Sequence, residues 1–196
     1  MKKKIIIALF FVFISSMLFA QTTERKRGFY FDIGMGLFGR ISYDDELDDA
    51  LELLEKLGAE RLTISLGLAA GGAITQNIYI VGSISAFGDR FDINSNYMQL
   101  NTYLLGAGIR YYPLPSMKWL QIGADYGISW LVLTTDVIGE QVAVSDFGTG
   151  LRLSVSCDFN GRMTGPSFLL GGELLISTIE SDLVAGISLF GKLVFK

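Results

Sequence analysis

From Gly28 onward the chain repeats one pattern. Apolar residues stand at every second position in segments of about ten residues or more, with short polar or glycine-bearing stretches between them. The last segment, Asp182–Lys196, shows it most plainly. Leu183, Ala185, Ile187, Leu189, Gly191, Leu193 and Phe195 form one set; Asp182, Val184, Gly186, Ser188, Phe190, Lys192, Val194 and Lys196 form the other. A period of two puts these sets on opposite faces of an extended strand. Eight such strands are predicted: Gly28–Phe38, Leu62–Gly71, Ile78–Phe87, Tyr97–Tyr112, Lys118–Leu131, Asp146–Phe159, Gly165–Ile176 and Asp182–Lys196. In the first, Phe29, Phe31, Ile33, Met35 and Leu37 oppose Tyr30, Asp32, Gly34 and Gly36. In the fifth, Leu120, Ile122, Ala124, Tyr126, Ile128 and Trp130 oppose Gln121, Gly123, Asp125, Gly127 and Ser129.

The fourth segment changes phase. Met98, Leu100 and Leu104 are its first apolar set, and Leu105, Ala107, Ile109 and Tyr111 its second, so a one-residue bulge near Leu104–Leu105 is expected. The longest interruption, Gly39–Arg61, holds the one helical pattern after Gly28, Asp44–Leu57. Leu47, Ala50, Leu51, Leu54 and Leu57 lie on one stripe, acids crowd the first turn, and Gly58 follows the end. Gly88–Asn96 and Val132–Ser145 read as loops, Pro113–Met117 as a tight turn, and Asn160-Gly161 as a hairpin dipeptide.

Composition explains what the alternation is for. Half of the 196 residues are apolar, yet beyond Ala20 no run is long enough for a membrane-crossing helix. Alternating strands with an apolar outer face are the remaining way to cross a bilayer. The chain start reads as a secretory signal peptide, residues 1–20: Lys2, Lys3 and Lys4, then the apolar Ile5–Ile14, then a cut after Ala20. Residues 21–27 form a short polar periplasmic lead, and 28–196 the barrel domain. Removing residues 1–20 takes three lysines and no acid, leaving 13 basic and 20 acidic residues, a net charge of −7 that argues against a nucleic-acid partner. Cys157 is the only cysteine, so no internal disulfide forms.

Aromatics gather near strand ends: Phe29, Tyr111, Trp119, Phe159 and Phe195 near one rim, Phe38, Phe87, Tyr97, Trp130 and Phe147 near the other. With the alternating long and short connections and the aromatic next to the C-terminus, Gly28–Lys196 resembles the small eight-stranded outer-membrane barrels of the OmpA/OmpX-like group. The fold class expected is all-β: an eight-stranded antiparallel up-and-down transmembrane barrel with a short helix in the first extracellular loop. The resemblance implies a monomer in outer-membrane lipid, inserted by the barrel assembly machinery. Lys196, after Phe195, departs from the group's habit of ending on the aromatic.

The inward faces carry Asp32, Arg110, Asp125, Arg152, Glu173 and Lys192, three acids and three bases. An eight-stranded barrel is only wide enough for side chains to fill it, and buried charges must pair. Pairing is expected between Asp32 and Lys192 across the closing seam, and among Asp125, Arg152 and Glu173. The reading is a lumen plugged by ion pairs in a protein with a structural or surface-interaction role. The alternatives are a narrow channel for small solutes and, needing the reverse polarity, a soluble periplasmic ligand-binding barrel. Asp44, Asp45, Glu46, Asp48, Asp49, Glu52 and Glu55 make the loop helix a candidate interaction element, and its leucine stripe is expected to cap the barrel mouth. Gly34-x-Gly36-x-x-Gly39 matches a dinucleotide fingerprint, but the helix begins several residues too late to hold a pyrophosphate. No cofactor and no metal is expected. Catalysis is disfavoured because the chain has no histidine to serve as a base at neutral pH.

Overall fold

The computed structural model describes residues 28–93, 96–113, 119–136, 141–160 and 165–196. The expected signal peptide and lead lie outside these residues, as do most of the Pro113–Met117 turn and Gly161. The strands are β1 (Phe29–Ser42), β2 (Glu60–Ala73), β3 (Ile78–Ile93), β4 (Asn96–Tyr111), β5 (Leu120–Thr135), β6 (Gln141–Val144), β7 (Gly148–Asp158), β8 (Pro166–Ile179) and β9 (Asp182–Phe195). Among the described residues there is one helix, α1 (Asp45–Lys56), between β1 and β2. Every pairing is antiparallel. β1 pairs with both β2 and β9, and β4 with β5, so eight strands close into a ring and no edge is left in the wall. The short β6 stands outside the ring count and pairs with Val132–Thr135 at the end of β5.

The wall is apolar outside and polar inside. Met35, Leu66, Leu105, Ile128, Val155, Leu170 and Ile187 are exposed on the outer face, while Asp32, Arg110, Asp125 and Arg152 are at most 1% exposed. That polarity is the reverse of a water-soluble barrel and fits a wall standing in lipid; barrels built this way span the bacterial outer membrane. Among the described residues no helix is long and apolar enough to cross a membrane; the crossing is made by strands. A tilted strand needs about 9–11 residues to span, and most of these have 14–16. The excess projects at the end that carries α1. β3 and β4 pair without interruption from Ile78↔Tyr111 to Ile93↔Asn96, so most of the expected loop Gly88–Asn96 is strand. The expected loop Val132–Ser145 likewise holds the end of β5 and all of β6.

The expected bulge in β4 is absent: its register runs unbroken against both neighbours. Leu100 and Leu104 are buried in the lumen, and Gln99, Asn101 and Tyr103 take the outer face. The apolar set changed sides because the lumen itself turns apolar toward this end. The register shift that does exist lies in β1, between Leu37 and Arg40. It turns Ile41 inward, where it is fully buried. Phe87, expected at the outer rim, is also fully buried inside.

Two apolar clusters fill the two ends of the lumen. At the periplasmic end Tyr30, Ala69, Tyr79, Val81, Tyr112, Leu169 and Val194 pack together. At the extracellular end the cluster contains Ile41, Tyr43, Phe87, Phe91, Leu100, Leu104, Leu175, Ile179 and Val184, with Leu51 of α1 inserted from above. Leu47 and Leu54 pack partly against it, so the leucine stripe does cover the mouth. Ala50 and Leu57, expected on the same stripe, point to solvent. Asp44 caps the helix by accepting from the Leu47 amide, and Gly58 ends the turn at φ 94°, a left-handed conformation that favours glycine.

Candidate functional site

Between the two apolar clusters lies a layer of charge. Asp32 on β1, Arg110 on β4, Asp125 on β5, Arg152 on β7, Glu173 on β8 and Lys192 on β9 all point inward and are buried. Taken in strand order around the ring, their signs alternate. Five of the six form a continuous chain. Arg110 Nε lies 3.3 Å from Asp32 Oδ2 and its Nη1 2.8 Å from Asp125 Oδ1. Arg152 Nη2 lies 2.8 Å from Asp125 Oδ2, and its Nη1 3.9 Å from Glu173 Oε2. Each guanidinium spans two carboxylates, a use that suits a planar donor fork.

β1 and β2 give these long side chains room. A Cβ on Gly34 would stand 2.3 Å from Lys192 Cγ, and one on Gly67 2.8 Å from Arg152 Nη1. Both residues, like Gly36, lie within strands, and Gly39 sits at the β1 register shift, so the fingerprint glycines form part of the wall.

Hydroxyls complete the layer. Ser65 and Ser188 donate to Glu173 Oε1 at 2.5 and 2.9 Å, and Tyr30 donates to Asp32 Oδ2 at 3.0 Å. Gln121 Nε2 donates to Tyr30 and Tyr112 at 3.1 and 2.8 Å, and Tyr112 donates to Asp158 Oδ2 at 3.3 Å. Lys196 pairs with that same Asp158 oxygen and lies over the Tyr112 ring, so the residue that departs from the group's pattern closes the periplasmic end.

The expected seam pair between Asp32 and Lys192 is not made. Asp32 stands opposite Val194, while Lys192 stands opposite Gly34, two residues along β1. Arg110 takes Asp32 instead. Lys192 Nζ has no hydrogen-bond partner among the described residues and rests 4.0 Å from the centre of the Phe190 ring. Asp125, Arg152 and Glu173 do meet. Sequence reasoning missed Arg110 as the link between the two expected sets; the alternation of sign in chain order was the signal that could have found it.

A second polar cluster, also missed, lies at the mouth. Asp89 is fully buried. Arg61 donates to it from Nε at 2.9 Å and from Nη2 at 2.7 Å, and Thr63 and Tyr43 donate at 3.1 and 3.4 Å. Asp89 falls in the stretch expected to be a loop, so its inward position was invisible until β3 was seen to continue.

The helix acids divide by what they touch. Glu55 accepts from Arg61 Nη1 at 3.0 Å. Asp48 accepts from the Tyr43 amide at 3.1 Å and from Ser42. Glu52 lies 3.8 Å from Arg40 and 3.7 Å from Lys56, an exposed arrangement. Glu46 and Asp49 face solvent. Cys157 is exposed on the outer wall.

No family model matches the chain, and no curated protein matches it. Solved structures do. Neisserial surface protein A matches with a TM-score of 0.58 at 15% identity, over 88% of this chain and 99% of that one. Ail, the attachment invasion locus protein of Yersinia pestis, solved in complex with the heparin analogue sucrose octasulfate, matches with a TM-score of 0.52 at 14% identity, over 87% of this chain and 99% of that one. At such identities the likeness concerns the fold, which is that of the small eight-stranded outer-membrane barrels.

Proposed function

We propose that the protein is a closed, non-catalytic outer-membrane barrel whose role is structural or lies in contacts made by its extracellular end. The observation that carries this reading is the three-layer filling of the lumen: aromatic and aliphatic side chains at the periplasmic end, the alternating ionic layer in the middle, and the apolar cluster under α1 at the mouth. A path for solutes would have to cross the packed side chains at both ends of the lumen and break a chain of buried ion pairs, each of which is costly to separate in a low-dielectric interior. The residues that remain available for contact are those of the projecting hairpins β3–β4 and β5–β6 and the outer face of α1. Ail and Neisserial surface protein A share the barrel fold.

Planar-bilayer recording of the purified barrel tests the reading. A closed lumen gives no reproducible conductance steps. Steps of constant size that survive changes of detergent and lipid would establish the narrow channel instead.

A further inference from the structure

The ring of the wall has no free edge, but the hairpin above it has one. Beyond the ring, β5 pairs with β6 in place of β7, and among the described residues no strand pairs with the far side of β6. The register fixes which backbone groups that side presents. Ser145 donates its amide to the Leu131 carbonyl at 3.0 Å. Backbone bonding alternates along an antiparallel pair. Ala143 and Gln141 therefore bond to Leu133 and Thr135 on β5, while Val142 and Val144 turn their N–H and C=O groups to the open side. Val142 and Val144 are each 63% exposed, and Phe147 is 75% exposed. Gln141–Val144 contains neither lysine nor proline, the residues that commonly protect an edge.

The surroundings of this edge are acidic. Asp146 follows β6, and its amide donates at 2.6 Å to Glu180 Oε1, which brings the β8–β9 turn alongside. Asp146, Glu180 and Asp182 are exposed, and none of them pairs with a cation among the described residues. Just below, Trp130 stacks on Tyr103 with ring centres 5.3 Å apart and meets Phe147 edge-on at 5.9 Å. Such an aromatic rim marks the border of the bilayer hydrocarbon, within which an unpaired edge does not stand. Water above the rim satisfies the backbone groups of β6 and leaves its valines uncovered; lipid does the reverse. An added strand does both, since its backbone pairs with the edge and its side chains cover the valines.

We propose that β6 is a docking edge for an extended segment of a partner protein that carries both apolar and basic side chains. The apolar ones lie against Val142 and Val144, and the basic ones reach Asp146, Glu180 and Asp182. The proposal rests on the surface-contact reading above, for which it names the edge and the kind of partner. A second copy in the same membrane does not fit. Antiparallel pairing of two β6 edges needs a two-fold axis normal to the sheet, and so in the plane of the membrane, which would turn one barrel upside down.

The probe is a short synthetic peptide of alternating valine and lysine, added to the full barrel in phosphatidylcholine nanodiscs, with empty nanodiscs as the blank. The same peptide with glutamate in place of lysine is the comparison. Val144→Pro removes an amide from the open side and leaves the bonds to β5 in place. Asp146→Asn combined with Glu180→Gln and Asp182→Asn keeps the backbone and removes the charge. Folding of each variant is checked by the heat-dependent shift in gel mobility. The wild type is expected to bind the lysine peptide about tenfold more tightly than either variant does, and about tenfold more tightly than it binds the glutamate peptide. The Val142 and Val144 amides should exchange about tenfold more slowly with the lysine peptide bound. Equal binding by folded Val144→Pro, or binding to the wild type that leaves those two amides unprotected, would overturn the docking edge. Equal binding of the two peptides would overturn the basic partner. Protection of the two amides that grows with barrel concentration in the absence of peptide would put a second copy there instead. Conductance steps in the bilayer recording would end the closed-lumen reading and leave each of these outcomes as it stands.

Discussion

The middle and the mouth of the same lumen are built on opposite rules. Both are lined by the inward face of the same strands. In the middle, that face carries Asp32, Arg110, Asp125, Arg152 and Glu173, joined in a chain of alternating charge. At the mouth, the continuation of the same face carries Phe87, Phe91, Leu100, Leu104, Leu175 and Val184. The difference follows from what covers each region. The middle is enclosed by the ring of strands, so polar side chains there must satisfy one another. The mouth opens toward water, and the amphipathic helix seals it against a wall that is mainly apolar, with the buried Asp89 held there by Arg61, Thr63 and Tyr43. A strand that crosses from one region to the other therefore changes the polarity of its inner face without changing its phase, as β4 does between Arg110 and Leu104.

The comparison is broken most sharply by removing a cation from the middle. Arg110→Ala leaves Asp32 in the lumen without a cation and Asp125 with Arg152 alone, and is expected to cost about 3–5 kcal/mol, seen as a lower urea midpoint for unfolding from vesicles. At the mouth, Leu104→Ala should cost about 2–5 kcal/mol through lost burial and a cavity in the same assay. A result near zero would mean the upper cluster is loosely packed. On the lipid face, Ile187→Arg should cost about 2–4 kcal/mol if the residue lies near the bilayer midplane. A variant that inserts as well as the wild type would contradict the outward assignment of β9.

Lys192→Met sharpens the contrast within the middle layer. Among the described residues Lys192 has no hydrogen-bond partner to strand, so replacement by an apolar side chain of similar reach is expected to change stability by less than about 1 kcal/mol or to raise it. A loss as large as that of Arg110→Ala would show that Lys192 closes the ring electrostatically.

The smallest effect is expected on the projecting β3–β4 hairpin. There the Arg90 guanidinium donates to Asp92 and holds its carboxyl below the ordinary carboxylate range. Because the folded value is depressed, the pairing contributes fully above the unfolded carboxylate pKa and is lost as pH falls through the folded one. An NMR titration of Asp92 should show its midpoint moving back up in Arg90→Gln.

How much of this was legible beforehand varies with the range of the interaction involved. The lipid face was legible, since alternation is a property of neighbouring positions. Six inward charges were legible for the same reason, once the outer face was known. Their partners were not: Arg110 stands next to Asp32 only because β4 faces β1 across a closed lumen, and the one-rung offset at the β1–β9 seam removes Lys192 from Asp32. Leu100 and Leu104 misled because apolar was equated with outward, a rule that fails wherever the lumen is apolar. Arg61 and Asp89 lay at the ends of what read as interruptions and gained meaning only when β2 and β3 proved longer.

The sequence by itself determined the strands, the outward face and the presence of an amphipathic acidic helix, because each depends on the order of residues within one segment and on the cost of exposing backbone and charge to lipid. The tertiary structure alone decided which charges meet, where the lumen turns from polar to apolar, and how the helix is held. Those depend on the closure of the ring, whose register brings together residues as far apart as Ser65 and Ser188, and no local pattern carries that register.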